Sequence, residues 1–248
     1  HMAHRFIVGT EPSAALGVLR DLWRDGVAAT VDLLGEATVS SAEADRYAAR
    51  CDEALRTLAG ATAAWPERPQ LERDSHGAIP RTNLSVKVSA LTPLLRPDAP
   101  ARGQHDAAER LRPLLRRARE LGAHLHIDME SVDTVEATLG LVFELLDEPD
   151  LRDGPSTGIV IQAYLRESPR QLEQVLDWAA SAGRARPLVV RLVKGAYWDH
   201  EVVDARQHGW TPPVFEDKSD SDRNFEALTR RLLEGWPHVR PAIASHNL

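Results

Sequence analysis

This chain has little with which to cross-link itself. A single cysteine, Cys51, stands among 248 residues, which excludes an internal disulfide and any zinc or iron–sulfur centre built on several thiolates. One thiol fits a reducing, cytoplasmic setting. Basic excess is lacking as well. Thirty Lys and Arg face 37 Asp and Glu, a net charge of −7, so there is no electrostatic footprint for nucleic acid. No apolar run approaches the ~18 residues that a membrane-crossing helix requires. No low-complexity tract divides the chain, and 248 residues suffice to bury one core. No G-x-G-x-x-G follows the first apolar segment, so the phosphate turn of a dinucleotide-binding unit is missing. His1-Met2 reads as an expression remnant. Residues 1–4 are therefore expected to be a disordered start, and residues 5–248 one domain.

What is present is an alternation of strand-like and helix-like segments. Candidate strands run over Val27–Leu34, Leu84–Val88, His124–Asp128, Ile159–Ala163, Leu188–Val193 and Pro241–Ser245. Between them lie amphipathic stretches. Ser40-Ser41-Ala42-Glu43 has capping-box spacing and precedes Ala44, Tyr47, Cys51, Leu55 and Leu58 at helical intervals. Leu111, Leu114, Leu115, Ala118 and Leu121 share a second helical face, and Val135, Leu139, Val142 and Leu146 a third. Ser168-Pro169-Arg170-Gln171 reads as cap, first turn and box of a helix that Gly183 ends. Helical segments over 199–208 and 221–234 precede the sixth strand, and the charged stretch from Trp65 to Pro80 reads as a long loop. Strands joined by helical crossovers pair in parallel. A doubly wound sheet and a (β/α)8-type barrel both fit, and polar groups at many strand ends favour the barrel. A closed barrel of that kind needs eight strands, whereas six precede Leu248. The chain is thus expected to be truncated after the sixth strand.

Those strand ends carry the chemistry. In order they present Asp32 and Glu36, Lys87 and Ser89, Asp128 and Glu130, Gln162 and Tyr164, Arg191 and Lys194, and His246 and Asn247. Any one of these is an ordinary cap or ion pair; together, on a barrel, they converge on one mouth. Alternation in Leu84–Ser89 puts Lys87 inside. An inward lysine requires an anion, either a carboxylate such as Asp128 or that of a substrate, or else it is a Schiff-base nucleophile with a depressed pKa; Lys87 or Lys194 in that role would make the chain a class I aldolase-type barrel. His124, His126 and Asp128 share a strand face, which leaves a metal-dependent hydrolase open; polar filling of the barrel is the plainer reading of the two histidines. Arg191 and Lys194 end an apolar strand, and each requires an anionic or electron-rich partner.

Five segments in order, Ser85–Leu91, Ile127–Glu130, Ile161–Leu165, Arg191–Asp199 and Ala244–Asn247, resemble the motifs of the proline dehydrogenase family. They are similar in particular to the flavin domain of bacterial proline-utilisation enzymes, where it is fused to a glutamate-semialdehyde dehydrogenase. The resemblance implies a distorted (β/α)8 barrel holding FAD, oxidation of L-proline to Δ1-pyrroline-5-carboxylate by hydride transfer to flavin N5, and electron delivery to a quinone. That acceptor implies a cytoplasmic protein able to lie peripherally at the inner membrane. By resemblance Lys87 pairs with the proline carboxylate and Asp128 fixes that lysine. Gln162 and Arg191 contact the flavin ring. Lys194, Gly195, Ala196 and Trp198 follow its phosphates and adenosine, and Ala196 also touches the substrate ring. Ser245, His246 and Asn247 complete the FAD contacts, and Glu36 closes over the substrate. No metal is implied. The family continues with two more strands and a final helix carrying an arginine pair that grips the carboxylate. If Leu248 ends the molecule, proline affinity and FAD retention are expected to be lost, because one lysine is a weaker and less directional grip than an arginine pair.

Overall fold

A computed structural model describes residues 7–35 and 37–245. In chain order the elements are α1 (Pro12–Arg24), β1 (Val31–Asp32), α2 (Ser41–Thr62), α3 (Pro69–Glu72), β2 (Arg73–Asp74), β3 (Gly77–Ala78), β4 (Asn83–Lys87), α4 (Val88–Leu91) and α5 (Pro100–Glu120). Then follow β5 (His124–Asp128), α6 (Val132–Asp147), α7 (Pro149–Arg152), β6 (Ser156–Gln162), α8 (Ser168–Ser181), β7 (Leu188–Val193), α9 (Trp198–Gln207), α10 (Lys218–Glu234) and β8 (Val239–Ile243).

Six strands form one sheet in the order β1-β4-β5-β6-β7-β8, and every neighbouring pair is parallel. Each new strand adds to the same edge. With right-handed crossovers this places the intervening helices on one face and leaves the other to enclose an interior. A doubly wound sheet reverses direction partway; this one does not, so the barrel-like alternative is the correct one. Among the described residues β1 and β8 are its edges. The β-branched runs of β6 and β7 form the middle: all seven residues of β6 are buried, as expected for a strand covered on both sides. The helices lay their apolar stripes on the sheet, among them Leu111, Leu114, Leu115 and Ala118 of α5 and Leu139, Val142 and Leu146 of α6, all buried.

The local signals have mixed outcomes. At α2, Ser40 Oγ accepts the Glu43 N–H at 3.3 Å, while the Glu43 carboxylate accepts from Val39 N–H at 2.9 Å, one residue before the usual box partner. Helix α8 begins at Ser168 itself, with Glu167 as N-cap. Ser168 is not a cap: its buried hydroxyl donates to Leu165 O at 2.8 Å and accepts from Asn224 at 2.8 Å. Gly183, at φ +61°, does end that helix. The expected first strand shrinks to Val31–Asp32, because at the sheet edge only Val31 and Asp32 find partners, in Leu84 and Ser85, while Val27 and Leu34 stay exposed. The expected Trp65–Pro80 loop contains α3 and the β2–β3 hairpin. Its anchors lie far along the chain: Arg240 makes two bonds to Asp74 at 2.6 and 2.8 Å, and the His76 ring packs on Trp236. Helix α1, which has no counterpart among the candidate segments, buries Ala15, Leu19 and Trp23, and the Trp23 indole donates to Pro66 O at 2.8 Å.

Candidate active site

At the carboxyl ends of the strands lies an open cleft of about 630 Å³, within the usual range for a small-molecule site. Parallel pairing aligns these ends, so side chains far apart in sequence meet there. Strand β1 contributes Asp32, β4 Lys87, β5 Asp128 and the following Met129 and Glu130, β6 Gln162, and β7 Arg191 and the following Lys194–Tyr197. Of the expected site residues, Lys87, Asp128, Gln162, Arg191, Lys194, Gly195, Ala196 and Ser245 line this one cleft. Trp198 sits outside the lining, at the start of α9, with its indole donating to Phe215 O at 2.8 Å. Glu36, His246 and Asn247 lie outside the described residues.

Charges alternate along the wall. Lys87 Nζ donates to Asp32 Oδ2 at 2.8 Å and lies 3.7 Å from Asp128 Oδ2; Arg191 donates from its guanidinium to Asp128 Oδ1 at 3.0 Å. Burial would lower the Lys87 pKa, but the hydrogen bond and charge of Asp32, with Asp128 and Glu130 behind, more than offset it, and the group is held above its usual value. An ammonium so stabilised is a poor amine nucleophile, which disfavours the Schiff-base reading of Lys87. The lysine's backbone is fixed too, its N–H donating to Tyr47 Oη at 3.3 Å. Beneath it, burial pushes the Cys51 thiol up to about 12, out of the reactive range.

The remaining wall is ordered by the backbone. Gln162 Nε2 donates to Glu130 O at 2.9 Å, and Ser89 Oγ donates to the Glu130 carboxylate. After β7 the chain crosses Tyr164 at Gly195. Here φ is +145°, and a Cβ would lie 2.3 Å from the tyrosine ring, so only glycine makes this turn. Lys194 Nζ donates to Asp222 of α10, which also accepts from Lys218 at 2.5 Å, and two cations on one carboxylate leave positive charge at this end of the cleft.

The two strand histidines belong to a lower layer. His124 Nε2 lies 3.1 Å from His126 Nδ1, and His124 Nδ1 lies 2.8 Å from Ser156 Oγ. Both rings are buried, filling the interior beside Gly158. Asp128, the third member of the possible metal set, is turned to Arg191 and Lys87 instead. Among the described residues no three His, Cys, Asp or Glu side chains are grouped to hold a metal ion. Asp32, Glu130 and Tyr197 line the cleft although the sequence motifs gave them no role, and Asp222 holds Lys194 from outside the lining. For Asp32 and Glu130 the sequence offered only their places at strand ends.

Fold and cleft together define a singly wound β/α protein of the barrel kind, with a charged cleft at the carboxyl ends of its strands. The family model for proline dehydrogenase matches residues 15–248, and the chain belongs to that family. It is 31% identical over 247 residues to the bifunctional protein PutA of Salmonella typhimurium, covering 99% of this chain and 18% of the relative. It is 27% identical over 252 residues to the proline dehydrogenase of Deinococcus radiodurans, covering 100% of this chain and 66% of the relative. Among solved structures it resembles proline utilization A from Bdellovibrio bacteriovorus inactivated by N-propargylglycine, with a TM-score of 0.94 and 40% identity over 99% of this chain and 26% of that one. The corresponding protein of Corynebacterium freiburgense gives a TM-score of 0.83 at 32% identity, over 99% of this chain and 24% of that one. The chain thus spans about a fifth to a quarter of the bifunctional relatives' length.

Proposed function

We propose that this chain forms the cofactor and substrate wall of an FAD-dependent proline dehydrogenase, which oxidises L-proline to Δ1-pyrroline-5-carboxylate and delivers electrons to a quinone. The observation that carries the reading is the convergence of Lys87, Asp128, Gln162, Arg191 and Lys194 on one cleft, from four successive strand ends. The residues present fit a flavin. Val160, Val193 and Met129 supply apolar surface for a flat ring, and Gln162 and Arg191 supply an amide and a cation for its polar edge. Gly195 keeps the backbone bare, and the Lys194–Lys218 pair offers positive charge to a diphosphate.

Each side chain then has a physical task. The Lys87 ammonium attracts and orients a substrate carboxylate. Asp128 bridges Arg191 and Lys87 with its two oxygens and so fixes where each cation stands. Arg191, fixed by that bond, stabilises negative charge arriving on the group it faces. Ala196 and Tyr197 limit the room beside the ring. Hydride acceptance at N5 and onward transfer of electrons are what FAD supplies when bound. The bifunctional names of the relatives support a second enzymatic domain, which in this reading is a glutamate-semialdehyde dehydrogenase, and a quinone acceptor would put the work beside a membrane. No helix among the described residues is long and apolar enough to cross one.

The test is spectroscopic. FAD titrated into the protein is expected to give a saturable shift of the flavin bands, and saturating proline under anaerobic conditions is expected to bleach them, with colour restored by a quinone. Failure to bind FAD, both in this chain and in one extended by the family's closing strands and helix, refutes the reading. Binding without bleaching refutes the substrate. Borohydride trapping of a carbonyl compound on Lys87 would support the aldolase chemistry instead.

A further inference from the structure

The closest partner of the Lys87 ammonium is not the acid of its neighbouring strand β5 but Asp32, on the edge strand β1. The two distances are 2.8 Å to Asp32 and 3.7 Å to Asp128, and Asp128 is already engaged by Arg191 at 3.0 Å. Register explains how Asp32 reaches. It pairs with Ser85, two residues before Lys87 on the same face of β4, so the lysine stem leans back across the sheet to meet it. Strand β1 has only two residues in the sheet, and their pairing sets Asp32 at this height. We propose that Asp32 is a positioning residue of the proline site: it parks the Lys87 ammonium at the cleft wall, and its charge makes the mouth select zwitterions over plain carboxylates. This rests on the proline reading for its substrate clause only.

The charge census supports the second half. The groups facing Lys87 are Asp32 from β1, Asp128 and Glu130 from the end of β5, Tyr47 and Cys51 from α2, Tyr197 from the turn before α9, and Arg191 through Asp128. Tyr47, Tyr197 and Cys51 are all held in their neutral forms, their pKa values raised by burial. Around the lysine three carboxylates therefore face two cations; Lys194, the third cation of the lining, is bound to Asp222. A ring acid with no amine brings a negative charge to that locally negative part of the cleft. A cyclic amino acid brings its ammonium as well, and that pole is attracted by the same excess.

Two measurements on the protein and its Asp32→Asn and Asp32→Glu variants test this. The first titrates Lys87 by NMR of its side-chain ammonium and needs neither cofactor nor substrate. Asp32→Asn is expected to lower its midpoint by about one pH unit, because a bond and a charge that favour the ammonium are lost; Asp32→Glu should restore most of the shift. The second compares binding of proline with that of cyclopentanecarboxylate. In the unsubstituted protein proline should bind more tightly, and Asp32→Asn should narrow that preference roughly tenfold; a purely structural lesion would weaken both alike. An unchanged lysine midpoint in Asp32→Asn overturns the positioning role, and an unchanged preference overturns the selectivity. A lowered midpoint in a protein that binds neither ligand, even when extended by the family's closing strands and helix, sustains the positioning role and refutes the proline reading instead.

Discussion

A Cβ added at Gly158 would lie 2.2 Å from His126 Nδ1 and 3.0 Å from His124 Nε2. The two rings occupy the place where other strand residues of β6 put side chains, so the glycine and the histidines make one packing unit. Gly158→Ala is expected to destabilise the protein by about 1–3 kcal/mol, the usual cost of overpacking, read as a lower thermal midpoint. Burial, with the nearby positive charges of Arg191 and Arg240, pushes His124 down to about 3. Burial and the neighbouring His124 and Arg191 hold His126 well below its ordinary value. Both rings bind protons more readily in the unfolded chain. Their stabilisation is therefore complete above the ordinary value of 6.5 and is lost as pH falls from there towards about 3. Thermal midpoints measured across that interval should fall with pH, and His124→Gln should make the fall shallower. In the cleft, Arg191→Ala and Lys87→Ala are expected to separate. The first should weaken FAD binding, read by flavin titration. The second should raise the KM for proline roughly ten- to a hundredfold and leave the flavin spectrum nearly intact.

At the scale of elements, what was legible depended on how local the signal was. The α2 start is local: Ser40 and Glu43 sit on the helix they cap, and Ser40→Ala should cost about 1 kcal/mol in denaturant unfolding. The hairpin of β2 and β3 is not local. Four residues form its two strands, and its main tie is Asp74 to Arg240, 166 positions away. No periodicity in Trp65–Pro80 could reveal that bond. Its removal by Asp74→Ala is expected to cost about 1.5–3 kcal/mol, the range for hydrogen bonds to charged groups, since both side chains are largely covered. The first strand failed for the opposite reason. Its apolar run is real, but an edge strand extends only as far as its one neighbour pairs with it, and β4 offers two partners. Ser168 failed because a cap-like residue followed by proline also suits a first helical turn, and the buried partners Leu165 and Asn224 decided which it became.

In the whole molecule, stability should be graded from the centre of the sheet outward. Strands β5, β6 and β7 are flanked on both sides, β5 and β6 nearly fully buried, whereas β1 contributes two residues at an edge. Hydrogen exchange is expected to be slowest in Ser156–Gln162 and fastest among the strands in Val31–Asp32, because central amides open only with the global transition. Uniform exchange across the sheet would contradict that grading. The sequence by itself determined the alternation of strands and helices, the parallel sheet and the polar strand ends, because apolar periodicity is written residue by residue. It also carried the motifs that place the chain in its family. Only the tertiary structure decided that Asp32 rather than Asp128 is the near partner of Lys87, that Asp128 serves Arg191, that Asp222 holds Lys194, and that the two strand histidines meet each other and Ser156 in the interior. Those pairings depend on strand register and on which of several acids comes within three ångströms, and distance in space is not encoded by distance along the chain.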